Sequence, residues 1–252
     1  MTQAQHGGWI PVRKDFVDLD TRCHARGATG RHHGFPDGRA YILRDAQGHE
    51  YPFGEACART AVLHPDHLAQ VPDYTERDVV RQAEAFDAAI AMASRRRPSA
   101  AQREAEQCAA AIRYLVLRME KVAAVPRVQP TVRFAPLQDV YEHFQRTGDL
   151  SRAQVTRILA IEKSPTTPPR LKAINLLDVY TAHVKLERLI AASNRLDNIR
   201  FLRGLHDWLA RQLVLSAAQI AAAGIEMHPQ AFSSPGIWGA DDTRPGESGQ
   251  LF

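Results

Sequence analysis

Two cysteines carry the most specific chemistry in this sequence. Cys23 lies in Thr-Arg-Cys-His-Ala-Arg-Gly and Cys57 in Phe-Gly-Glu-Ala-Cys-Ala, on either side of a predicted β-hairpin. Thiolates and imidazoles are the ligands zinc prefers, in sets of four at structural sites. The position three after Cys23 is Arg26, so the usual Cys-x2-Cys knuckle is broken. The remaining ligands would have to come from His24, His32, His33, His49 or the pair in His64-Pro65-Asp66-His67. Cys23, Cys57, His64 and His67 would complete one set. Two cysteines without paired spacing also fit as small apolar groups in a core. The expected state is therefore free of cofactor, with one zinc ion on those four residues as the alternative. The third cysteine, Cys108, falls on the apolar face of a predicted helix, where a thiol is usually inert.

A hairpin flanked by thiolates resembles the small treble-clef-like zinc modules, and that resemblance implies a compact α+β unit at the N-terminus. An odd number of widely spaced cysteines is no disulfide framework and fits a reducing compartment. The first residues lack the apolar core of a secretory signal, and no apolar run reaches the ~20 residues that span a bilayer. The expected location is cytoplasmic.

Anion recognition is the second chemistry. The net charge is +4, but residues 127–212 carry +6 while 213–252 carry −3. Only five of the 32 basic residues are lysine. Arginine offers a planar fork suited to phosphate, although a GC-rich genome produces the same bias together with abundant alanine. The segment Ser151–Lys163 follows a helix and a Gly148 turn, which is helix-turn-helix spacing. Arg152, Arg157 and Lys163 would lie on that helix, with Arg170, Lys172 and the Arg95-Arg96-Arg97 turn adding phosphate contacts. A helical bundle with an arginine-rich solvated face accounts for the same residues.

Catalytic signatures are missing. There is no phosphate-binding Gly-x-x-x-x-Gly-Lys-Ser/Thr, no Gly-x-Gly-x-x-Gly, no Gly-x-Ser-x-Gly and no His-Glu-x-x-His. His143, His183 and His206 fall on separate predicted helices, and Glu187 is explained by pairing with Lys185 and Arg188. The terminal Gly-Ala-Asp-Asp-Thr-Arg-Pro-Gly-Glu-Ser-Gly-Gln-Leu-Phe is acidic and ends in Leu251-Phe252. It resembles the sliding-clamp peptides of bacterial DNA metabolism and the acidic tails of single-stranded-DNA-binding proteins. The clamp's Gln position holds Ser248, with Gln250 shifted. The resemblance implies a flexible tether presenting an apolar anchor, with Trp238 as a further partner contact.

These residues need elements to position them. Tyr41–Gly54 reads as a hairpin turning at Asp45-Ala46-Gln47-Gly48, preceded by a Gly- and His-rich loop over 26–38 and followed by a short helix over 55–62. The Pro-containing stretch 64–75 reads as a linker. Apolar residues then recur at helical spacing over 75–93, 99–125, 137–148, 151–163, 171–193 and 194–215. Pro-rich breaks fall at 126–136 and 164–170. Leu-Ser-x-x-Gln occurs at 150–154 and again at 215–219, as helix capping alone would produce. The predicted fold class is mainly α: a helical bundle with a small N-terminal α+β module containing the hairpin, and a disordered C-terminal tail. The predicted divisions are 1–74, 75–126, 127–227 and 228–252.

The leading expectation is a non-enzymatic, nucleic-acid-associated protein of a bacterium or mobile element, contacting DNA or RNA and a protein partner. The alternative is a helical interaction or scaffold protein, able to oligomerise, that binds no nucleic acid.

Overall fold

The computed structural model describes residues 8–26, 32–77 and 99–238. Among them are five strands and seven α-helices, in two compact units. The first comprises the described residues of Met1–Glu76 and Arg96–Ala109, the second those of Arg77–Arg95 and Ala110–Phe252.

The first unit is built on an antiparallel sheet in the order β1 (Ile10–Phe16), β4 (Arg39–Arg44), β5 (Glu50–Phe53). Asp45 makes the β4–β5 turn, its carboxylate accepting the N–H groups of Gln47 at 2.9 Å and His49 at 2.8 Å. Gly48 follows at φ +90°, a conformation that strains any residue with a Cβ. β1 pairs with β4 from Phe16↔Arg39 to Ile10↔Arg44, with a bulge between Pro11 and Arg13. Proline lacks the N–H that a regular ladder would use there. β2 (Arg22–Arg26) and β3 (His32–Gly34) form a separate two-stranded ribbon. The loop expected over 26–38 is therefore strand at 32–34. α1 (Glu55–Ala61) follows β5 directly. Phe35, Tyr41, Ile42, Leu43, Phe53, Ala58, Val62 and Leu68 share one buried cluster with Cys23.

The linker expected over 64–75 is part of this unit. Pro65–Ala69 is a 3-10 turn that buries Leu68, and the chain then runs beside β1. The Lys14 N–H donates to the Pro72 carbonyl, the Tyr74 N–H donates to the Lys14 carbonyl, both at 2.9 Å, and Tyr74 is 1% exposed. Two prolines signalled a break in regular structure, and an irregular segment can still bury an aromatic anchor.

In the second unit, α2 (Ala100–Val116, which begins in the first) continues into a π-helical turn, where Val122 N–H reaches the Leu117 carbonyl. Such a bulge often marks a specialised position. Arg118 lies in it, buried, donating to the Val132 carbonyl at 2.9 Å and to the Tyr114 hydroxyl, with its guanidinium 4.6 Å from the Phe134 ring centre. These bonds pin the Pro-rich segment after residue 126. Gly148, at φ +72°, closes α3 (Gln138–Thr147). α4 (Arg152–Lys163) starts with a capping box between Ser151 and Gln154, and α7 (Ala217–Ala223) with the same box between Ser216 and Gln219. The repeated Leu-Ser-x-x-Gln is thus two local caps.

The centre of this unit is α5 (Ala173–Ala192), which packs against α6 (Leu196–Gln212). The first half of α5 is buried almost all round, including Asn175, Leu176, Leu177, Asp178, Val179 and Tyr180. Asp178 accepts from Arg77 at 2.8 Å and from the Phe232 N–H at 3.0 Å. Phe232 and Ile237 are themselves buried, and the Ile237 carbonyl accepts from Arg170 at 2.7 Å. The disordered tail expected from 228 is corrected for 228–238, which pack into the unit. Composition rich in Ser, Pro and Gly concealed two apolar anchors. The helix expected over 75–93 falls mostly on 78–98, and Leu251-Phe252 fall in 239–252; both stretches lie outside the described residues.

Candidate metal centre

β2, β3 and α1 bring together Cys23, His33 and Cys57, whose ligand atoms all lie within 4.8 Å of one another. Cys23 is buried, Cys57 half-buried and His33 exposed, so the cluster is walled on one side and open to solvent on the other. The Nε2 of His33 stands 3.3 Å from the Cys57 sulfur. Its Nδ1 lies 3.0 Å from the Gly34 carbonyl. With that nitrogen donating, the Nε2 lone pair faces the sulfurs, the orientation a metal-binding imidazole needs. Around zinc, with bonds of about 2.0–2.3 Å, neighbouring ligand atoms sit about 3.3–3.8 Å apart, so the set fits with small adjustments.

The surroundings also suit a thiolate ligand. The Gly54 N–H donates to the Cys23 sulfur at 3.3 Å. Glycine there leaves room for the imidazole: a Cβ would sit 2.6 Å from the Cε1 of His33, and the ring would have to shift. Burial, then the neighbouring Cys23, pushes the Cys57 thiol upward in pKa. A cation between the two sulfurs would reverse that repulsion and deprotonate both. His32 supports β2 through a 2.7 Å contact from its Nδ1 to the Cys23 carbonyl.

His64 and His67 do not join this cluster. The 3-10 turn spends its inward position on Leu68 and leaves both histidines exposed, their rings 5.1 Å apart. His33 takes their place, and the signal for it was weak. It was one of several histidines near the hairpin, and only pairing of β3 with β2 aims it at the cysteines.

The expected phosphate contacts divide. Arg152 and Lys163, at the two ends of α4, are exposed. Arg157 donates to the Pro136 carbonyl at 2.6 Å and lies 3.5 Å from Asp139. Arg170 donates to Ile237 and to Gln212, and burial lowers its pKa. Lys172 donates to the carbonyls of Glu162 and Ser164. Arg170 and Lys172 are thus held by groups of their own unit, while Arg157 stays exposed. Arg95, Arg96 and Arg97 lie outside the described residues. Trp238 is half-buried beside the buried Ile237.

No protein-family model matches the chain, and neither a curated protein nor a solved structure shows significant similarity. The reading of the site therefore rests on its geometry. No described helix is long and apolar enough to cross a membrane.

Proposed function

We propose that this chain is a non-enzymatic recognition protein whose first unit is organised around one zinc ion held by Cys23, His33 and Cys57, and whose second unit contacts nucleic-acid phosphate. The observation that carries the first part is the convergence of two sulfurs and an oriented imidazole nitrogen within 4.8 Å. Two thiolates and one neutral imidazole balance the charge of a divalent ion. The fourth position faces solvent and takes water or a partner's side chain.

Support for the nucleic-acid part is the exposure of Arg152 and Lys163 on α4 and of Arg200 and Arg203 on α6. Arg157 is exposed as well, while Arg170 and Lys172 donate to groups of their own unit, which narrows the contact surface. That occupation favours a second reading, a helical interaction protein without nucleic-acid binding.

Elemental analysis of the purified chain tests the metal: one zinc lost in a Cys57→Ser variant supports the site, and equal zinc content in both removes it. A titration against duplex and single-stranded DNA at two salt concentrations tests the partner. Replacing Arg152 and Lys163 with Ala should flatten the salt slope by up to about two units. No binding at low salt leaves the second reading standing.

A further inference from the structure

The second unit contains another convergence of ligand atoms, on the surface between α5 and α6. His183 and Glu187 are one helical turn apart on α5, so their side chains share a face. His206, on α6, faces them and is 6% exposed. The Nδ1 of His183 lies 2.7 Å from the Nε2 of His206, and that same Nε2 lies 3.3 Å from a carboxylate oxygen of Glu187. The three ligand atoms fall within 4.8 Å of one another.

His206 Nε2 is the shared point of the cluster, with His183 Nδ1 on one side and the Glu187 carboxylate on the other. Nε2 carries at most one hydrogen, so one hydrogen bond from it cannot join all three groups. One cation in the middle accepts from all three. Glu187 keeps a side-chain exposure of 51%, which gives an ion a route in and leaves coordination positions open to water.

We propose that His183, Glu187 and His206 form a second metal centre for a first-row divalent cation such as zinc or cobalt. Two imidazoles and one carboxylate make a nitrogen–oxygen set, in contrast to the thiolate-rich cluster of the first unit. The proposal does not depend on the zinc reading of Cys23, His33 and Cys57.

The test is a cobalt(II) titration of the full chain after chelator treatment, followed by absorption spectroscopy. Cobalt on the cysteines gives a thiolate charge-transfer band in the near ultraviolet; cobalt on the histidine cluster gives only weak visible bands. Wild type should bind one equivalent that adds nothing to the thiolate band. Glu187→Gln and His183→Gln should each weaken that equivalent by more than the ~10–100-fold that loss of a supporting residue costs. The thiolate band should be unchanged in both. Absence of such an equivalent in wild type overturns the proposal. So does unchanged affinity in Glu187→Gln, a near-isosteric change at a half-exposed position that keeps its helical circular dichroism. Failure of the cysteine site would appear instead as a missing thiolate band with the other equivalent intact.

Discussion

The two units hold themselves together differently. The first gathers about ten buried apolar residues around a sheet of short strands, with Cys23 inside that cluster. The second buries the first half of a long central helix on nearly every side and closes it with Arg77, Asp178 and the 228–238 segment. Small cores are marginal because too little surface leaves water to offset chain entropy. A metal in the first unit would therefore contribute to folding itself, whereas a metal on the α5–α6 surface would decorate a unit that stands on its own core.

Chelation makes the sharpest break between them. Stripping metal, or replacing both Cys23 and Cys57 with Ser, should abolish the cooperative melting of the first unit while leaving the helical circular dichroism of the second. Structural zinc sites in small peptides supply about 10–16 kcal/mol, more than a domain's usual net stability. If both units melt unchanged after chelation, the contrast fails.

Next in size is the buried ion pair of the second unit. Replacing Arg77 with Leu leaves the Asp178 carboxyl among apolar groups and should cost about 3–5 kcal/mol at neutral pH by urea denaturation. Burial already raises Asp178 to about 6, against the ordinary value of 3.8. A raised carboxyl binds protons more readily folded than unfolded, so its contribution is fully present below the unfolded value and is lost as pH rises through about 6. The deficit of Arg77→Leu should therefore shrink when the measurement moves from pH 7 to pH 5. A deficit that grows on acidification would show that Arg77 does not compensate this carboxylate.

A cavity at Ile237, which is 1% exposed, probes the segment once expected to be loose. Ile237→Ala should lower stability by about 2–5 kcal/mol, whereas truncation after Trp238 should leave the melting temperature nearly unchanged. Equal effects from both changes would place the boundary of the folded unit elsewhere.

The smallest effect belongs to Gly54→Ala. Its Cβ would meet His33 at 2.6 Å and push the imidazole off the sulfurs. The expected result is a ~10–100-fold loss of zinc affinity by competition with a chelating dye, with the sheet intact. An unaltered affinity would take His33 out of the ligand set.

Local chemistry was legible in the sequence. Ser151 and Ser216 cap their helices through Gln154 and Gln219, three residues on; Gly148 closes α3; Asp45 and Gly48 turn the hairpin. Each of these bonds is satisfied within a few residues, so residue type and spacing determine it. Tertiary structure decided which distant groups meet. His33 joins Cys23 and Cys57 because β3 pairs with β2 while α1 folds onto the sheet. His183 and Glu187 were readable as neighbours on one helical face, but His206 arrives from the next helix. The same non-local packing tied Arg170 and Lys172 to carbonyls of their own unit and buried Tyr74, Phe232 and Ile237 in segments whose composition suggested a linker and a loose tail. Proline and glycine report only that a segment is irregular; whether it packs depends on a matching apolar recess that the rest of the chain must build.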